Sequence, residues 1–240
     1  LGNFATNEAF AAVSSGGNLT FLIIGFFNGI AVGGGVVISR YYGAGDEENV
    51  ARAIHTTFLF GVIASVLSTA AGLLLVPQLL VAMNTPDTVL PYSLIYFRIY
   101  FGGVFTVILY NICMAVMQSL GDSLHPLYYL MISSVLNMGL DLLFVAVFRW
   151  GVAGAAAATV ITQGFSFLLC LRRMCRVKDF TRLDLRRLRL YPGLLPQILR
   201  QGLPTGVQNA VISVGNIVIQ SNINSAGEFA MSGHGAYVKL

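Results

Sequence analysis

An all-α, polytopic bundle of membrane-spanning helices is the fold class that this 240-residue sequence predicts, and three observations predict it. The first is composition: 56% of the residues are hydrophobic and 10% are charged, against about 25% charged in a soluble domain. So much apolar side chain exceeds what one core hides, and the remainder faces lipid. The second is length. Stretches free of Asp, Glu, Lys and Arg cover 9–39, 53–86, 99–121, 123–140, 150–171 and 201–227, and a helix crosses a bilayer with about 20 apolar residues. The stretch 123–140 ends at Asp141 and resumes as Leu142–Phe148, so it reads as one span with a charge inside it. The third is pattern. The short alternating segments of a transmembrane β-barrel are missing, and helices satisfy their own backbone groups in lipid.

The spacing predicts helices at about 9–39, 54–82, 92–118, 125–148, 151–171 and 203–224, with another beginning near Phe229. Gly43-Ala44-Gly45-Asp46 closes the first helix, and Asn84-Thr85-Pro86-Asp87 closes the second. Pro91 suits the first turn of the third helix, and Gly121-Asp122-Ser123 with Pro126 separates the third from the fourth. Arg149-Trp150-Gly151 is so short that helices 125–148 and 151–171 form an antiparallel hairpin. Residues 172–200 hold nine of the fourteen basic residues and read as a linker between two helical units. The predicted division is therefore an amino-terminal unit over 1–171, a basic linker over 172–200, and the start of a second unit over 201–240. An echo of Asn3–Val13 in Asn222–Gly233, with Glu8 matching Glu228, hints at repeated halves. The chain opens on Leu1 with no signal peptide before its first span, and it reads as a fragment.

Loops alternate sides of a membrane. The odd loops hold Arg40, Arg52 and the nine linker cations, and the even loops hold only Arg149. Counted this way the odd loops are cytoplasmic, and Arg98, close to a helix end, snorkels to the opposite headgroups. The linker has only Phe180 and Tyr191 as aromatics, so it offers no base-stacking platform and reads as facing lipid headgroups rather than nucleic acid. Gly25, Gly29 and Gly33, followed by Gly34 and Gly35, and Gly154 with Ala155–Ala158, form small faces that let helices approach closely. Three consecutive glycines also lower helix stability and favour a bend.

Nine of the ten acidic residues lie in loops or at helix ends. Asp141 alone lies inside a span, where an ionised carboxylate costs about 2.5–3.5 kcal/mol even on lenient scales. It therefore faces the bundle interior with partners, or is protonated. Asn137, four residues earlier, shares its helix face. The hairpin brings Thr159 alongside, and Tyr96 and Asn111 are polar groups in neighbouring apolar runs. One negative charge among neutral oxygens suits a proton or a hard monovalent cation. Zn²⁺ prefers Cys and His, and Ca²⁺ needs more carboxylates. The alternative is a hydrogen-bond network that only joins helices. Gln208, Asn209 and Asn216, with Gln220, Asn222 and Asn224, make helix 203–224 polar on one side. That side either lines a watery cavity or packs through its amides. His55, His125 and His234 have no His or carboxylate at ligand spacing and read as structural. Cys113, Cys170 and Cys175 lack metal-ligand spacing and read as small buried apolar residues.

Several stretches carry a resemblance: Glu8-Ala-Phe-Ala-Ala-Val13, Ser39-Arg-Tyr-Tyr-Gly-Ala44, Gly121-Asp-Ser-Leu-His-Pro-Leu127, Asn137-Met-Gly-Leu-Asp141, Gly151-Val-Ala-Gly-Ala-Ala156, Ala158-Thr-Val-Ile-Thr-Gln163 and Gly202-Leu-Pro-Thr-Gly206. In order and spacing they resemble the multidrug and toxic compound extrusion (MATE) transporter family. The resemblance implies twelve helices in two six-helix lobes around a central cavity. This chain would run from the end of helix one to the start of helix eight. It implies monomeric multi-pass antiporters of the cell membrane that export organic cations in exchange for Na⁺ or H⁺, with no cofactor. It also implies that Asp141, Asn137, Thr159, Asn111 and Tyr96 form a cation or proton coupling site. The family's helix-one Asp would precede Leu1. Helix 203–224 lacks the acidic residue some members carry there, which favours the amino-terminal site. The rival within the superfamily, a lipid-linked oligosaccharide flippase, is expected to carry more basic residues in its spans than Arg98 and Lys239. An intramembrane enzyme would need a paired carboxylate, a His cluster or a nucleophile–base pair, and the spans contain none.

Overall fold

The computed structural model describes residues 17–82, 85–226, 230 and 233–234. The stretch Glu8–Val13, the echo around Glu228, the helix start near Phe229 and Lys239 lie outside them. All regular structure among the described residues is helical: α1 (Gly17–Gly43), α2 (Glu47–Ala82), α3 (Leu90–Gly102), α4 (Val104–Ser119), α5 (Leu124–Asp141) with a π-helical extension (Leu142–Val147), α6 (Gly151–Arg176) and α7 (Leu195–Ser225). By length and composition three of these cross a membrane, α2, extended α5 and α6, and the bent pair α3–α4 makes a fourth. Six spans were expected. The polar amides of α7 dilute its apolar character, whereas α1, at 27 residues, has the length of a span.

The helices outrun the charge-free stretches that predicted them. Helix α2 starts at Glu47, not near 54, because Asp46 caps it: Asn49 donates its backbone N–H to Asp46 Oδ1 (3.1 Å) and its amide to Oδ2 (2.7 Å). These bonds favour the ionised form and hold the Asp46 carboxyl below its ordinary value. Glu47 and Glu48 in the first turn suit the helix dipole. Helix α6 continues to Arg176 and α7 begins at Leu195, so the expected linker 172–200 shrinks to 177–194. The triple glycine does not interrupt α1.

The expected single helix 92–118 is a second correction. It is two helices meeting at Gly103 with a bend of 48°. The reason is close approach: a Cβ on Gly103 would lie 2.2 Å from Val160 Cγ1 on α6. Gly103→Ala is expected to cost about 1–3 kcal/mol by overpacking. Thermal melting checks this, and Val160→Ala in the same chain should recover much of the loss.

Helix α5 widens into the π segment immediately after Asp141. Phe144 then stacks on Trp150 with centroids 5.2 Å apart, and Phe148 packs against the same ring at a tilt, 5.6 Å away. Arg149 (φ 56°) and Gly151 (φ 54°) reverse the chain in the left-handed region. The hairpin forms as expected, and α5 packs along α6.

The most extensive helix pair is α1 with α7. A Cβ on Gly33 would lie 2.4 Å from the Ile198 carbonyl oxygen, and one on Gly29 would lie 2.4 Å from the Gly206 backbone nitrogen. Gly202 and Gly206 press equally close to the α1 backbone. Outside the buried core runs a belt of exposed apolar side chains, including Val66, Leu67 and Leu74 on α2 and Met131, Val135 and Met138 on α5. Such a surface suits lipid, because a water-soluble chain rarely exposes so large an apolar face.

The odd loops gather at one end of the bundle. Tyr42 meets Phe180 (ring centroids 6.4 Å apart), and Arg173 reaches Asp122 at 3.4 Å. Buried Leu183 and Leu194 hold the linker against this end. The Asp184 N–H donates to His55 Nε2 (3.2 Å), and the Tyr191 N–H donates to Thr56 Oγ1 (3.3 Å). The Arg52 guanidinium lies over the Tyr191 ring. His125 is not alone, as the sequence suggested, but bonds Asp122 at 2.7 Å. Burial works to raise the Asp122 carboxyl, but the bonds from His125 and the charges of His125 and Arg173 outweigh it and hold the group below its usual value. Cys113, Cys170 and Cys175 are free thiols, the first two buried.

Candidate functional site

Asp141 is the last residue of α5, where the α-helix gives way to the π segment. The side chain is half-buried, and its Oδ1 is buried with no hydrogen-bond partner among the described residues. Such an atom is costly in an apolar setting unless something binds it. A π segment is a rare distortion that often marks functional positions.

One turn earlier, Asn137 donates its Nδ2 to Thr162 Oγ1 on α6 at 3.3 Å. The expected partner was Thr159. Its hydroxyl instead donates to the Ala155 carbonyl of its own helix at 3.0 Å. The difference is one of register, since residues 159 and 162 lie about one turn apart on the same side of α6 and the hairpin sets Thr162 level with Asn137. One more turn back, Ser133 Oγ donates to the Thr162 carbonyl at 3.1 Å.

Tyr96 on α3 is half-buried, stacks on Tyr100 at 5.9 Å, and lies within Coulombic range of Asp141. Asn111 on α4 donates its amide to the Val107 carbonyl of its own helix at 2.9 Å. The structure thus brings Asn137, Asp141 and Tyr96 into one region, while Thr159 and Asn111 spend their donors on their own helices and keep their oxygens as acceptors. Sequence reasoning missed Thr162 in the site and Ser133 as a clamp between the helices beside it. It also missed Asn28 on α1, whose Oδ1 is buried and without a partner among the described residues. Asn28 sits in an apolar run like Asn111, so the signal that found Asn111 was present there too.

On α7, Asn209 donates to the Gly25 carbonyl at 3.1 Å, and buried Ser213 bonds back to Asn209. Asn216 is half-buried, and Gln208 is exposed on another face. Asn209 therefore joins α7 to α1. Arg40 and Tyr41 add a second link by donating to Gln197 Oε1 at 3.0 and 3.3 Å.

A bundle of membrane-length helices with a half-buried carboxylate, one of whose oxygens has no hydrogen-bond partner among the described residues, defines a polytopic membrane protein with an internal polar site. The chain belongs to the MatE family, whose model matches residues 1–143. It is 31% identical to the probable multidrug resistance protein YpnP of Bacillus subtilis over 249 aligned positions, covering 100% of this chain and 54% of that protein. It is 32% identical to the probable multidrug resistance protein YoeA of the same organism, covering 98% of this chain and 52% of that one. The chain spans about half the length of these relatives. In fold it resembles the inward-facing structure of a multidrug resistance MATE family transporter of the MOP superfamily. There the TM-score is 0.90 at 24% identity, with 97% of this chain and 53% of the other aligned.

Proposed function

We propose that this chain supplies most of one lobe of a secondary active efflux transporter. Residues 1–171 form the amino-terminal lobe, the basic segment joins the lobes, and α7 opens the second. Membership of the MatE family and its multidrug resistance relatives support export of small molecules, and we read these as organic cations. The observation that carries the coupling role is the Asp141 carboxylate, half-buried at an α-to-π transition with Oδ1 unpaired among the described residues. A bound Na⁺ or proton would neutralise it, and Asn137, Tyr96, Thr159 and Asn111 supply neutral oxygens in the surrounding helices. Ion binding then favours one arrangement of the lobes and substrate binding the other. Coupling arises because each ligand binds the two arrangements unequally.

The gathering of Arg40, Arg52 and the linker cations at one end supports that end as the cytoplasmic face of the cell membrane. The decisive experiment places the full-length protein that carries this chain in vesicles and imposes Na⁺ and pH gradients separately. Ethidium export driven by one gradient is the expected result. Export driven by neither, with a labelled lipid-linked oligosaccharide flipped instead, would replace this reading with the flippase one.

A further inference from the structure

Ser133, Asn137 and Asp141 stand four apart on α5 and so share one helix face. Opposite them on α6, Thr162 is 2% exposed. Its hydroxyl carries one proton. That proton stays within α6, since Oγ1 lies 2.9 Å from the Ala158 carbonyl and 3.0 Å from that of Thr159. Toward α5 the hydroxyl is therefore an acceptor. Asn137 Nδ2 stands 3.3 Å from it. The amide must present its NH₂ to Thr162, which turns its Oδ1 elsewhere. The bond from Ser133 Oγ to the Thr162 backbone carbonyl clamps the two helices one turn away and touches neither the Thr162 hydroxyl nor the Asn137 amide. Thr159 makes neither contact.

We propose that Thr162 is a positioning residue for the coupling ion. It holds the Asn137 carboxamide so that Oδ1 remains an acceptor one turn from the Asp141 carboxylate. This rests on reading Asp141 as the coupling site. Oδ1 can ligate a cation or accept the proton of a neutral Asp141, whereas a flipped amide offers N–H donors that repel the first and cannot accept the second. A residue that orients a ligand without touching the ion acts as outer-shell partners do in metal sites.

The test uses the full-length transporter in vesicles. Ethidium export is titrated against Na⁺ at fixed pH, and against pH without Na⁺. Removing an outer-shell orienting partner raises half-saturation by about tenfold, and Thr162→Val should do so for the coupling ion while sparing the rate at saturating ion. Thr162→Ser should restore the wild-type value. Ser133→Ala loosens the helix pair without freeing the amide and should leave the titration near wild type. The inference is overturned if T162V titrates like wild type while Asp141→Asn destroys ion dependence, or if S133A matches T162V, which marks a mere clamp. An Asp141→Asn protein with unchanged ion dependence would instead overturn the underlying site. Should T162V not reach the membrane, Thr162→Cys replaces it, because a thiol fills the space but accepts poorly.

Discussion

Gly33→Leu is expected to pull α1 off α7. The first atom of any side chain at Gly33 would lie 2.4 Å from the Ile198 carbonyl oxygen and 2.5 Å from the Gly202 nitrogen. Both are backbone atoms, so no rotamer change makes room and one whole helix must move. Overpacking usually costs about 1–3 kcal/mol, and a displaced helix pair belongs at the upper end. The seam has further strands to lose. Gly29, Gly202 and Gly206 meet backbone at 2.4 to 2.8 Å, Asn209 bonds the Gly25 carbonyl, and Gln197 joins Arg40 and Tyr41. In lipid, where apolar surface gives little drive for helices to associate, such close approach supplies much of the attraction. The check is thermal melting of the purified full-length protein. Gly139→Ala is the control, since nothing lies within 4 Å of its added Cβ and alanine favours the helix.

The parts of the fold that were readable are those that lipid dictates. Charge-free stretches located the helices among the described residues, save that the one predicted over 92–118 is two, because a bilayer sets a minimum apolar length. Helix ends were misjudged wherever charge was taken as the stop signal. At Asp46 the determinant is the cap with Asn49, and α6 carries Arg172, Arg173 and Arg176 in its final turns because charges are tolerated once the helix leaves lipid. The break at Gly103 was hidden because it leaves no mark in the charge pattern. Only the position of Val160 on a distant helix makes it a bend. The site followed the same rule. Asp141 stood out as a charge where none is cheap, and Asn137 followed from helical spacing. Choosing Thr162 over Thr159 required the register of the hairpin. That register depends on the π segment and on the left-handed backbone at Arg149, neither of which leaves a mark in composition.

Asp141→Asn in the full-length protein is expected to abolish gradient-driven export without lowering stability. The two readings of the carboxylate differ in sign on the second point. If Asp141 is structural glue, losing it removes hydrogen bonds, and the melting temperature falls. If it is a coupling group, its charge is a standing cost of about 2.5–3.5 kcal/mol in the membrane, and the isosteric amide relieves it. The buried Oδ1 favours the second outcome, since it has no hydrogen-bond partner among the described residues to lose. Functional groups held at the expense of stability commonly behave this way when neutralised. The size of the functional effect follows from linkage. A coupling free energy of about 1–3 kcal/mol corresponds to roughly 5–150-fold in ligand affinity, so removing the group that binds the ion should cut driven export at least about tenfold while leaving drug binding without a gradient intact. Melting curves, ethidium binding in detergent and export in vesicles separate these quantities. Export that keeps its wild-type response to the imposed gradient would remove Asp141 from the mechanism, and a fall in melting temperature with coupling retained would make it glue.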